Sequence, residues 1–144
     1  MQTQSLMMEI DKKIVTFIGK HHLLSLATCS ESKVDICSLF YAYNKKENYF
    51  VVASDEKTTH IKNIRKNSNI SLSIALETKL VGKIQGLQID AVINSSTCNN
   101  VKMLYLKTFP YSVAFDLTLW KIEPLHVKFT DNTLGFGKKL YWKK

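Results

Sequence analysis

Short runs in which every second residue is apolar recur along this chain, and they constrain its fold more than any other feature. Ile70 to Leu76 (ISLSIAL) alternates strictly, as a strand with one wet face does. Gly82 to Ile93 (GKIQGLQIDAVI) alternates too, and its Gly86 suggests a bulge or a close backbone approach. His22 to Thr28 (HLLSLAT), Asp35 to Tyr43 (DICSLFYAY) and Tyr49 to Ala53 (YFVVA) are β-rich runs. Ser30–Lys33 and Asn44–Asn48 part them as polar turns. Val113 to Ile122 and Leu125 to Phe129, separated by Glu123-Pro124, read as the last two strands.

Three segments switch to a helical period. Met8 to Lys20 places Ile10, Ile14, Val15, Phe17 and Ile18 on one face, with Gly19 near its end. Glu56 to Lys66 follows a Ser54-Asp55 cap and ends at Asn67–Ser68–Asn69. Ser95-Ser96-Thr97 opens a third helix to about Lys107, with Val101, Leu104 and Tyr105 inward. The helices do not alternate with strands one for one, which argues against a parallel sheet. The expected fold is mainly β with peripheral helices: a closed or nearly closed antiparallel barrel of six or seven strands, in a single domain over 1–144.

The formal charge of +8 brings anionic partners to the front: a phosphorylated cofactor, nucleic acid or an acidic membrane surface. A hydrophobic content of 45% excludes a disordered chain. No apolar run approaches the roughly 20 residues of a membrane-spanning helix. The N-terminus has an acidic amphipathic stretch in place of a signal-peptide pattern, so a cytoplasmic location is expected. Cys29, Cys37 and Cys98 have no CxxC spacing and read as buried free thiols, although Cys29 and Cys37 could approach across the first hairpin. His21 and His22 point to opposite sides of an extended chain, and no metal is expected. The tail from Lys138 to Lys144 mixes lysines with Leu140, Tyr141 and Trp142. That mixture can bind single-stranded nucleic acid, but the plainer reading lays its aromatics on the barrel or on a dimer mate. Neither nucleic acid nor a membrane is expected as a partner.

The segment Ala53-Ser54-Asp55-Glu56-Lys57-Thr58-Thr59-His60 lies where a strand runs into a helix N-terminus. The first amides of a helix lack intrahelical partners, and its dipole favours negative charge. Two hydroxyls, a lysine and a histidine in that turn make a phosphate cradle. An ordinary capped helix with a polar first turn accounts for the same residues.

The succession DICSLFYAYNKKENYFVVAS and KTTHIKNIRKNSNISLSI resembles the FMN-binding split barrels related to pyridoxamine 5′-phosphate oxidase. The closing KFTDNTLGFGKKLYW resembles a branch of short bacterial split-barrel proteins. The resemblance implies FMN as cofactor and a homodimer with the site at its interface. It implies that Lys57, Thr58, Thr59 and His60 bind the phosphate, with His60 where the family usually has lysine. It implies that the backbone of Ser38, Leu39, Phe40 and Tyr41 lies along the flavin and that Ala53 and Ser54 end the strand beside it. Phe40 and Tyr41 on a strand edge can provide its apolar wall, and plain barrel core accounts for the same two residues. Trp120 and residues near Gly86 or Gly135 are expected from the partner subunit. The implied activity is that of a flavin-dependent oxidoreductase of unspecified substrate. Pyridoxamine phosphate is not the expected substrate, because no Arg or His follows His126. The alternatives are a non-catalytic flavin- or haem-binding protein, with His60 or His126 as the haem ligand, and a basic nucleic-acid module.

Overall fold

The computed structural model describes residues 9–144. Seven antiparallel strands and three helices form one barrel: β1 (Leu23–Ser30), β2 (Lys33–Asn44), β3 (Tyr49–Ala53), β4 (Asn69–Ala75), β5 (Gln85–Ser95), β6 (Leu119–Asp131) and β7 (Lys139–Lys143). The order around the sheet is β3-β2-β1-β4-β5-β6-β7, and a β3–β6 pairing closes the first six into a barrel. Glu31 and Ser32 join β1 to β2, both at positive φ (52° and 65°). That is the twist a two-residue hairpin needs.

Alternation decides the inside. Leu24, Leu26, Phe50, Val52, Leu72, Ile74, Leu87, Ile89, Ile122 and Phe129 are buried within the barrel. At one end, α1 (Lys12–Lys20) inserts Ile14, Phe17 and Ile18, and Phe17 meets Phe129 at 5.0 Å between ring centroids. Asp11 caps this helix by accepting from the Lys13 amide at 2.7 Å, so it begins later than the expected Met8, which lies outside the described residues. At the other end, α2 (Thr59–Lys66) buries Ile61 and Ile64. The Asn63 amide side chain donates to Thr28 Oγ1 (3.1 Å) and that of Asn67 donates to the Cys29 carbonyl (3.0 Å). Outside the barrel, α3 (Asn99–Thr108) packs Val101 and Tyr105 over Ala42, Tyr49 and Val51.

Several expectations are corrected. Residues 110–118 form a 3-10 turn and loop, not a strand, because β3 ends at Ala53 opposite Leu119 and β5 at Ser95 opposite Trp120. Beyond those points no strand among the described residues offers a partner. One strand, β6, then runs straight through Pro124. On that edge of β6 the β3 pairing reaches only Ile122 and the β7 pairing starts at His126, so Pro124 sits where its missing N–H costs no ladder bond. The bulge falls opposite Asp90/Ala91, with Leu125 as the extra residue, and not at Gly86, where a Cβ would meet only the Ile74 carbonyl at 3.8 Å. The tail is β7, with Leu140 and Trp142 packed on the core. Cys29 stands opposite Val34 and Cys37 opposite Leu26, on opposite faces of the hairpin, so these thiols do not meet. Burial, helped by Asp35, pushes the Cys37 thiol up to about 11.

Candidate functional site

The chain leaves β3 at Ala53, paired to Leu119, and the Ser54 amide donates to the Thr118 carbonyl (3.1 Å). It then folds on itself. The Asp55 carboxylate accepts from the Lys57 amide (2.7 Å), and its carbonyl accepts from the Thr58 amide (3.2 Å) and hydroxyl (2.9 Å). Thr58, not Ser54 or Asp55, is the N-cap of α2 and accepts from the Ile61 amide at 3.4 Å. Asp55 caps the turn before it. The next two amides, of Thr59 and His60, have no acceptor among the described residues.

His60 closes this turn. It is only 8% exposed, and its Nε2 lies 2.5 Å from Ser54 Oγ and 3.2 Å from Thr58 Oγ1. Thr58 gives its one hydroxyl proton to the Asp55 carbonyl, so toward His60 it can only accept. A proton assigned to Nε2 satisfies Ser54 and Thr58 together, and leaves the Ser54 hydroxyl proton for a ligand. Burial lowers the His60 pKa from its ordinary value, against an opposing pull from Asp35. The imidazole is therefore neutral at pH 7 and contributes a donor where a lysine would contribute charge. Nor is the net charge of +8 concentrated here: Glu56 pairs with Arg65, and Asp55 stands beside Lys57.

Trp120 packs against the 54–60 turn and α2 of its own chain. Its indole N–H donates to the Ser54 carbonyl (3.3 Å), the Arg65 guanidinium lies 5.6 Å from its ring centroid, and it is 2% exposed. So buried a side chain cannot reach across to a second subunit.

The second half of the site is an open strand edge. β3 pairs with β2 only from Tyr41/Val52 to Asn44/Tyr49, whereas β1 pairs with β2 from residue 33 to residue 40. Where β3 would have continued beside β2, the chain instead turns through Ser54–Thr58 into α2. The Tyr41 amide donates to the His22 carbonyl (3.0 Å), so odd residues of β2 bond toward β1. Val34, Ile36, Ser38 and Phe40 then aim their backbone N–H and C=O groups at the unpaired edge, facing the 54–60 turn. Leu39 and Tyr41 point into the barrel while Ser38 and Phe40 point out. Tyr41 is 3% exposed and donates its hydroxyl to the Ile18 carbonyl at 2.6 Å, and burial raises its pKa further from neutrality. Phe40 is 50% exposed and stacks on His22 at 5.6 Å. The expected wall of Phe40 beside Tyr41 is therefore not formed, since adjacent strand residues face opposite ways.

Two features escaped the sequence. The free edge of β2 depends on where β3 stops, which no local pattern encodes. The outer face of β1, β2, β4 and β5 carries a groove of about 400 Å³ floored by Ser25, Ala27, Ser71 and Ser73, beside His126. The alternation Val34-Ile36-Ser38-Phe40 hinted at it, since it makes β2 apolar on its outer face as well. No group of three metal-ligating side chains occurs among the described residues. Among the described residues no helix is long and apolar enough to cross a membrane.

No protein-family model matches the chain. A UPF0306 protein of Campylobacter jejuni is 37% identical over 138 residues, covering 94% of this chain and 100% of the relative. A UPF0306 protein of Pasteurella multocida is 31% identical, covering 92% and 91%. Among solved structures, HutZ, the haem storage protein from Vibrio cholerae, superposes with a TM-score of 0.66 at 17% identity, over 81% of this chain and 91% of its own. A FAD-binding protein from Mesorhizobium loti gives 0.68 at 12%, over 81% and 89%. A candidate pyridoxamine 5′-phosphate oxidase from Listeria innocua gives 0.68 at 12%, over 81% and 94%. At such identities the likeness carries the fold, and that fold is the expected split barrel.

Proposed function

The chain belongs to the UPF0306 family, and we propose that it binds FMN in the cleft between the open edge of β2 and the first turn of α2, as a flavin-dependent oxidoreductase. One observation carries this reading. β2 leaves its outer edge without a strand partner before Tyr41, and α2, whose Thr59 and His60 amides lack acceptors, packs beside it; a ring edge and a phosphate need those two sets of donors. The bound flavin would supply the redox chemistry. The chain's own part is to hold it. Thr59 and His60 offer amides to the phosphate, Ser54 its free hydroxyl proton, and Lys57 an exposed charge. Leu39 and Tyr41, anchored in the core, keep the strand edge straight. Trp120 and Arg65 brace the turn from β6 and α2.

The flavin-binding neighbour supports a ligand of this kind in such a barrel. Pyridoxamine phosphate is not the substrate proposed, because the chain after His126 holds no Arg or His to take a second phosphate. The functional unit is a homodimer built on the outer groove, where Ile36 is 71% exposed. The free thiols agree with a cytoplasmic setting. The test is an absorbance and fluorescence titration with FMN and with riboflavin. FMN should bind at micromolar Kd or better, roughly −8 kcal/mol, and Thr58→Ala/His60→Ala should lose FMN but not the weaker riboflavin. A wild type that binds neither refutes the reading.

A second reading, a non-catalytic haem-binding protein, draws on His126, exposed at the rim of the outer groove, and on the haem-storage neighbour. His60 is the poorer candidate ligand, since Ser54 and Thr58 already engage its Nε2. A Soret band on haem titration that vanishes in His126→Ala would favour this reading.

A further inference from the structure

At the barrel end opposite α2, two loops are stitched into one tip. The β4–β5 connection carries a 3-10 turn at Val81–Lys83, and the β6–β7 connection carries another at Asn132–Leu134. Asn132 holds them together. Its side chain donates to the Val81 carbonyl (2.8 Å), its amide donates to the Ile84 carbonyl (2.9 Å), and its Oδ1 accepts from the Gly137 amide (2.9 Å). The buried Asp131 carboxylate accepts from the Thr133 amide (2.9 Å) and hydroxyl (2.6 Å) and from the Gln85 side chain (3.1 Å). Gly135 and Gly137 take the positive φ values (137° and 73°) that let the chain double back. All this ordering displays apolar side chains to solvent. Phe136 is 86% exposed, and Leu80, Val81, Ile84 and Leu134 are exposed around it.

Lys79, Lys83, Lys138 and Lys139 flank this cluster, and none of them makes an ion pair with a described residue. The nearest buried acid, Asp131, spends its oxygens on hydrogen bonds. The tip thus exposes apolar side chains around Phe136, with lysines adjoining them along the chain. That combination matches the depth profile of an anionic bilayer surface, apolar below the headgroups and negative at them. A protein groove would need no such collar. A symmetric contact between two copies through this tip would set four lysines of one against four of the other.

We propose that this tip docks the protein on membranes carrying anionic lipid headgroups, with Phe136 entering the interface and the lysine collar resting on the headgroups. The α2 turn, at the other end of the barrel, then faces away from the bilayer. Gly135, which the resemblance places near a partner's flavin, lies in this tip, whereas the 54–60 turn and the edge of β2 share no residue with it.

The test uses the full chain and sedimentation with vesicles of phosphatidylcholine alone, or with about a third phosphatidylglycerol. Partitioning should be at least about tenfold greater on the anionic vesicles at about 0.1 M salt and should collapse at about 0.5 M. Phe136→Ser and Lys83→Glu/Lys138→Glu should each reduce it at least about fivefold, and the exposure of these side chains keeps the fold out of the comparison. Equal partitioning on both vesicle types, or none, overturns the proposal. So does a Phe136→Ser variant that loses its dimer by light scattering, because the tip is then a subunit interface. Retention of poly-glutamate through Phe136, with no vesicle binding, assigns the tip to an acidic protein instead.

Discussion

Ser54 Oγ lies 2.5 Å from His60 Nε2, six positions along the chain, across the turn that joins the last residue of a barrel strand to the first turn of a helix. The contact holds the imidazole under the turn, where burial disfavours its charge.

That burial gives stability a pH dependence. His60 has its pKa lowered in the fold from an ordinary 6.5, so the unfolded chain binds the proton more tightly than the folded one. The contribution is complete above 6.5 and is lost as pH falls from there through the lowered folded value. Urea unfolding between pH 7.5 and about 5 should show a declining midpoint in the wild type. His60→Gln should flatten that part of the profile, and an unchanged slope would show that the turn does not penalise the charge.

Tyr41→Phe removes a buried hydroxyl that donates to the Ile18 carbonyl at 2.6 Å and leaves that carbonyl only the longer bond from the His21 amide (3.3 Å). The expected loss is about 1–3 kcal/mol, read from urea midpoints at constant slope.

Asp131 should behave as a second acid-sensitive group. Burial raises its pKa, but the bonds from Thr133 and Gln85 outweigh that, and the net shift is downward from 3.8. Its stabilisation is present above that value and disappears as pH falls through the lower folded one. Asp131→Asn should cost stability at pH 7 and narrow its difference from wild type in strong acid, as thermal unfolding at both pH values would reveal.

Ile36→Glu places a charge on the wall of the outer groove of about 400 Å³. If two copies meet there, light scattering should report a monomer with unchanged circular dichroism. A dimer that survives the substitution rules this face out.

Gly137→Ala puts a side chain at a φ of 73° in the tip, strained by about 1–2 kcal/mol. The melting point should fall modestly, and vesicle binding should weaken as the Phe136 loop loosens.

The alternation in Ile70–Leu76 and the five residues Tyr49–Ala53 were enough to name strands, because a half-buried strand writes its period into the chain. The same rule misled at Val113–Leu117, where the alternation is present but no neighbouring strand extends far enough to pair. Pro124 misled in the other direction, reading as a break although it occupies an edge that needs no donor. The 54–60 segment was legible as a helix entry rich in hydroxyls. Its cap, its neutral histidine and its bracing by Trp120 were not, since these depend on burial and on partners distant in the chain.

By itself the sequence determined the barrel class and the strand-to-helix turn, because period and turn chemistry are local properties. The tertiary structure alone decided that β2 keeps a bare edge, that Tyr41 is core and Phe40 surface, and that two remote loops share one apolar tip. Each of those depends on where one strand stops or which way a residue faces, and contacts between distant segments set both.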